Sequence, residues 1–254
     1  MRTVLSIGVL VLAMLAAAGC SFLAKKTPTP AADLDKDELA RRPAPPGERY
    51  YLALFGSINS AKQPKHSHTW ATMARVKQVP GQARPEIEVK TISWMPATLA
   101  IRPASMRVEP GVNLNLPDSV RAMKQDGQTI EMWGPYEVWH GFWERFSVQQ
   151  AFLESGTIGY QCTDTIGEAA RLGNGCDCIH AISDMDPAFP RWRYPLTWYG
   201  PSATENLVRR IMRAPVTIDA RRTHDWLLEP LNLTDCDIVR RQYRGRILPY
   251  DPAE

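Results

Sequence analysis

The sequence predicts an α+β domain over residues 48–254, an antiparallel sheet with packed helices. Three observations predict it. Runs of strand length, rich in aromatic and β-branched residues, come first, at residues 50–58, 69–76 and 87–94. The turn residues Pro80-Gly81-Gln82 join the last two closely enough for an antiparallel pair. Helical spacing enters after residue 116, and strands followed by mixed helices are the pattern of an α+β fold.

Two segments precede that domain. Residues 1–20 have the make-up of an export signal: Arg2 gives the positive charge, residues 4–18 are apolar except for Ser6 and Gly8, and Ala16-Ala17-Ala18-Gly19 stand before Cys20. The apolar run is about 15 residues, short of the roughly 20 that a membrane span needs. Small residues let a peptidase approach the backbone, and the Cys20 thiol can take a diacylglycerol. Residues 21–47 read as a tether, because Lys25-Lys26-Thr27-Pro28-Thr29-Pro30 and Arg41-Arg42-Pro43-Ala44-Pro45-Pro46-Gly47 hold too much proline and charge for a core. Residues 34–39 allow one loose helical turn.

Within the domain, Met95-Pro96 close the third strand. Residues 116–125 carry Val120 and Met123 at helical spacing, with Gly127 as a stop. Residues 128–133 form a fourth strand ended by Gly134-Pro135. Residues 136–153 place Val138, Phe142, Phe146, Gln149 and Phe152 on one helical face, stopped at Gly156. Residues 157–163 are strand-like. Asp177 opens a helix as its N-cap, and Ser202 with Glu205 gives residues 202–212 the form of a capping box. Residues 223–231 read as a shorter helix and residues 238–243 as a last strand.

Composition narrows function. With 30 Lys and Arg against 27 Asp and Glu, the net charge of +3 is too weak to argue for nucleic acid. No Gly-rich phosphate loop follows a strand, so no nucleotide or organic cofactor is expected. Besides Cys20 there are Cys162, Cys176, Cys178 and Cys236. An exported chain can hold two disulfides among them; Cys162 with Cys176 is one choice, and the connectivity stays open.

Three places bear chemistry. His66-Ser67-His68-Thr69-Trp70-Ala71-Thr72 opens the second strand, Asp177-Cys178-Ile179-His180-Ala181 starts a helix after Gly173-Asn174-Gly175, and His224-Asp225-Trp226 lies near the C-terminus. A cysteine at a helix start meets unpaired N–H groups that favour the thiolate, and it needs a histidine base with a third polar group to act as a nucleophile. His180, about 200° round a helix from Cys178, cannot be that base.

These residues resemble known patterns. Ala17-Ala18-Gly19-Cys20 is similar to a bacterial lipobox, with Ala17 where Leu is usual; Ser21 after the cysteine then implies the outer membrane. A histidine opening an early strand, followed by Cys-x-His at a helix start, resembles circularly permuted papain-like hydrolases of the NlpC type and the lecithin:retinol acyltransferase type. That resemblance implies Cys178 as nucleophile, His68 as base with His66 as the alternative, and Glu88 as the third group. Asp177 stands where the pattern has Asn, and Ala181 where it has an aromatic residue. The domain also looks like an uncharacterised group of bacterial envelope lipoproteins sharing phrases such as Ser67-His68-Thr69-Trp70-Ala71-Thr72 and Thr91-Ile92-Ser93-Trp94-Met95-Pro96.

The expected function is therefore a lipid-anchored envelope protein on the periplasmic face of the outer membrane. In the sharper form it is a thiol-dependent hydrolase or transferase of amide or acyl bonds, acting on a peptidoglycan, peptide or acyl substrate. In the competing form it is a non-catalytic lipoprotein that binds a protein or glycan, its cysteines bridged. A metal site built on His66 and His68 with His180, Asp184, Asp186 or His224 has no recognised spacing, and no metal is expected. The acidic run at Asp184-Met185-Asp186-Pro187 reads as a helix end. The tryptophans Trp133, Trp139, Trp143, Trp192, Trp198 and Trp226 read as core or groove lining.

Overall fold

A computed structural model describes residues 42–185, 198–214 and 216–243, and the backbone of 247–249. Cys20, the signal, the tether before Arg42, Asp186 and Trp192 lie outside them.

The long first strand β1 (Glu48–Asn59) is the middle of the sheet. It pairs antiparallel with β2 (Ser67–Lys77) on one side and with β6 (Gln128–Val138) on the other. Strand β3 (Glu86–Ile92) extends β2, while β9 (Ile238–Tyr243) runs parallel to β6 and β10 (Ile247–Pro249) pairs with β9. The order is β10-β9-β6-β1-β2-β3, mostly antiparallel. Mixed helices and strands of this kind are the expected α+β class.

Strand β1 is apolar at both parities because both sheet faces are covered. Tyr50, Leu52 and Leu54 enter one core with Phe142, Phe146, Ile179, Ile182, Leu207 and Val208. Those partners come from helices α2 (His140–Glu154), α4 (Cys178–Ser183) and α5 (Pro201–Arg213). Tyr51, Ala53 and Phe55 enter a second core with Leu116, Val120 and Met123 of α1 (Leu116–Gln125). On β2, Ala71 and Met73 face the first core, and Trp70 and Ala74 the second.

Helix α1 starts where expected because Asn115 Oδ1 accepts from the Asp118 N–H at 2.8 Å. Helix α5 can lie on β1 because residue 56 is glycine. A Cβ there would sit 2.5 Å from Thr204 Oγ1 and 2.8 Å from Pro201 Cα. The Thr204 hydroxyl then donates to the Phe55 carbonyl at 3.0 Å.

Several boundaries differ from expectation. Strand β6 does not end at Gly134-Pro135 but continues to Val138, the register against β1 shifting between Leu52 and Leu54. That shift is a bulge, which lets a strand absorb residues its partner cannot match. Residues 136–138 thus belong to the strand, and α2 begins only at His140. Trp94–Pro96 leave β3 to form a separate strand, β4, paired with β5 (Gly111–Asn113). Ser202 does not cap α5, for Gly200 is the N-cap and the Ser202 hydroxyl donates to the Tyr199 carbonyl at 3.0 Å. Residues 223–231 yield only a 3-10 turn, Asp225–Leu227. The tether's last residues dock: Ala44 packs on the first core, and Arg42 pairs with Glu144 at 3.1 Å.

Among the described residues, no helix is long and apolar enough to cross a membrane.

Candidate functional site at the start of helix α4

Local pairing builds this site. Strands β7 (Gly159–Tyr160) and β8 (Gly175–Cys176) pair in parallel, and the Gln161 N–H donates to the Cys176 carbonyl at 3.2 Å. Helix α3 (Gly167–Leu172) fills the connection and ends at Gly173, whose φ of +70° suits glycine. The pairing sets Tyr160, Cys162 and Asp164 beside Cys176, Asp177 and Cys178.

Asp177 is the N-cap of α4, as expected. Its Oδ1 accepts from the N–H groups of Ile179 and His180 at 2.8 and 2.7 Å. His180 then points inward to Asp164, its Nδ1 lying 2.8 Å from both carboxylate oxygens and 3.4 Å from Asp177 Oδ2. Asp164 Oδ2 also accepts the Asp177 N–H at 3.1 Å. All three side chains are sealed from solvent. Burial opposes the imidazolium, yet Asp164 and Asp177 outweigh it and hold the His180 pKa well above its usual value. These three are the only His, Cys, Asp and Glu side chains among the described residues grouped closely enough to hold a metal ion. The shared Nδ1 proton and the Asp177 oxygen committed to the helix cap fit a buried ion pair.

Cys178 is half-buried on the first core. Desolvation is the largest influence on its thiol, pushing the pKa well above the usual value; the Asp177 charge and Cys162 add to it. Backbone N–H groups of Thr69 and of Cys178 itself pull the other way and lose. Cys162 is pushed up to about 12 by burial and then by Asp177. Among the described residues no disulfide joins Cys162, Cys176, Cys178 or Cys236, so the bridge between Cys162 and Cys176 that the sequence allows is not formed.

The proposed base is not on this thiol. His68 is an even-numbered residue of β2, and it stacks on Trp70 in the second core, with ring centroids 5.4 Å apart. Its Nε2 is 2.9 Å from Ser93 Oγ, its Nδ1 has no partner, and no hydrogen bond joins it to Cys178. Burial alone lowers its pKa to about 3. The alternation of β2 thus directs His68 to one face while Cys178 packs on the other.

The remaining candidates scatter. His66 is 2.8 Å from Asp126 on the surface. Glu88 pairs with Arg75 at 2.7 Å, and Arg75 lies seven residues along β2 from His68, or about 23 Å. Glu88 therefore cannot orient His68. His224 is tilted on Tyr51, with ring centroids 4.8 Å apart. No shared metal site arises from His66, His68, His180, Asp184 and His224, since each of the histidines is engaged in a different place.

Sequence reading missed Asp164 and the environment of Cys162. Asp164 sits in Thr163-Asp164-Thr165 with no periodic signal, and only the β7–β8 pairing brings it to His180. No family model, curated protein or solved structure matches the chain.

Proposed function

We propose that the chain is an envelope lipoprotein held by lipid on Cys20 at the periplasmic face of the outer membrane, and that its domain binds a partner and performs no thiol chemistry. The apolar run ending in Ala17-Ala18-Gly19-Cys20, followed by Ser21, supports the anchor. One observation carries the choice between enzyme and binding protein: the His68 imidazole is bonded to Ser93 and stacked on Trp70, with no bond to Cys178. A nucleophilic thiol needs a base within hydrogen-bond reach and a usable thiolate fraction. Cys178 is held as a thiol by burial and the Asp177 charge.

Labelling the folded protein with a thiol-reactive probe across pH tests this. The expected result is labelling of Cys178 at alkaline pH only, unchanged in His68→Ala and absent in Cys178→Ala. Labelling at neutral pH that vanishes in His68→Ala would restore the hydrolase reading.

The anchor has its own measurement. Metabolic labelling with a fatty acid analogue is expected to mark the wild-type chain and to leave Cys20→Ala unmarked and unbound to membranes. Equal membrane association of the two would remove the lipid from the reading.

A further inference from the structure

Strand β5 has a free edge. The Ala97 N–H donates to the Pro110 carbonyl at 2.8 Å and the Leu114 N–H to the Ser93 carbonyl at 3.0 Å. In an antiparallel pair such bonded positions alternate, so Val112 faces Met95, and the main chain of Gly111 and Asn113 turns away from β4. On that outer side a second ladder begins and stops. Glu109 and Tyr160 exchange both main-chain hydrogen bonds, at 2.9 and 2.7 Å. The next facing pair would be Gly111 and Ile158, but there the chains part and a cleft of about 660 Å³ opens between them. It adjoins a second cleft of about 620 Å³, with which it shares Val112, Asn113 and Glu154.

Two residues that line the first cleft each carry a buried polar atom without a partner. Trp94 is 2% exposed, and its indole N–H has no acceptor; Asn174 Oδ1 is buried without a donor. Buried polar groups of this kind call for partners. One wants a hydrogen-bond acceptor, the other a donor, and a peptide unit carries both. Charge adds a further condition. Glu109, Glu154 and Glu168 line the cleft and Asp118 its continuation, whereas neither lining includes a lysine or arginine. Arg121 takes up Asp118 at 2.6 Å and Arg102 approaches Glu109 only at 4.0 Å, so in a chain of net charge +3 the cleft itself keeps a negative sign. Residue 111 is glycine because the Trp94 ring lies on it; a Cβ there would be 2.0 Å from Cζ2.

We infer that this groove binds an extended peptide bearing cationic side chains, which pairs with the Gly111 and Asn113 edge of β5 and sets its cations against Glu109 and Glu168. The mode is strand addition: main-chain hydrogen bonds give affinity and alternate side chains give selectivity. The inference rests on reading the chain as a binding protein and names the partner's chemistry.

The test uses the full chain in detergent micelles and a short fluorescent peptide of alternating lysine and valine, read by polarisation. Saturable binding is expected, weakened by salt and about ten-fold weaker for each of Glu109→Gln and Glu168→Gln, as loss of a charge-assisted contact implies. N-methylation of alternate peptide amides is expected to abolish binding in one register and spare it in the other. That comparison changes no protein residue, so it stands even if a variant folds poorly. Equal binding of both methylated peptides, binding of a glutamate–valine peptide as tight as the lysine one, or displacement by an uncharged chito-oligosaccharide overturns the inference; so does absence of binding. Lipid on Cys20 and thiol labelling of Cys178 read the proposed function separately. An anchored, thiol-inert chain that ignores the peptide loses this inference alone.

Discussion

His180→Ala is expected to destabilise the fold by about 3–5 kcal/mol, the range for removing one partner from a buried ion pair. Its Nδ1 lies 2.8 Å from both Asp164 oxygens, and the two aspartates have side chains sealed from solvent. Without the imidazolium, two carboxylates stay buried with less to oppose them. The same loss reaches the helix start, because Asp177 also caps α4 and a cap contributes about 1 kcal/mol. Urea unfolding measures the effect. In a double-mutant cycle, His180→Ala with Asp164→Asn should cost less than the sum of the single changes, since the charge left behind is then smaller. A loss below about 1 kcal/mol, or strict additivity, would show that the pair is not coupled as its geometry implies.

The second large effect is on the pH dependence of stability, where the two most deeply buried histidines, His68 and His180, have opposite signs. His68 is held neutral in the fold, its pKa lowered to about 3 from 6.5 by burial. As pH falls below 6.5 the unfolded chain takes up a proton that the folded chain refuses, so stability is lost until about pH 3. The ceiling on that loss is about 5 kcal/mol. His180 behaves in reverse. Its pKa is raised well above 6.5 against the effect of burial, by Asp164 and Asp177. Its stabilisation is complete below pH 6.5 and is lost as pH rises through the folded value. Together they place greatest stability near pH 6.5. In His68→Gln the slope between pH 6.5 and 4.5 should flatten, whatever the variant's stability at neutral pH. An unchanged slope there would mean that His68 is protonated in the fold.

The contrast between these histidines explains which parts of the molecule could be read from sequence. Strands β1, β2 and β3 and helix α1 declare themselves through local pattern: Tyr50–Phe55 is apolar at every position, and Val120 and Met123 stand at helical spacing before the stop at Gly127. Asp177 as N-cap follows from the same short-range chemistry. Gly134-Pro135 looks like a strand stop by sequence, and only the bulge against β1 carries β6 through it. Residues 136–138 look helical by sequence because Val138 continues the spacing of Phe142 and Phe146.

Site assembly was legible only in its pieces. Cys178 at a helix start and His68 at a strand start both stand where sequence puts them. Whether they meet depends on side-chain parity across a sheet covered on both faces, and no local signal in β2 says which helix lies over which face. Asp164 reaches His180 through a parallel pairing of two-residue strands, too short to leave a periodic trace.

By itself, then, the amino-acid order determined strands β1, β2 and β3, the α+β class and the cap at Asp177, since these depend on contacts within a few residues. Tertiary structure alone decided the partners: it turned His68 to Ser93, enclosed His180 between two aspartates and parted β5 from β7 to open a groove. Such contacts join segments from about 16 to 50 residues apart, and their choice rests on how faces and edges pack, which short-range pattern does not encode.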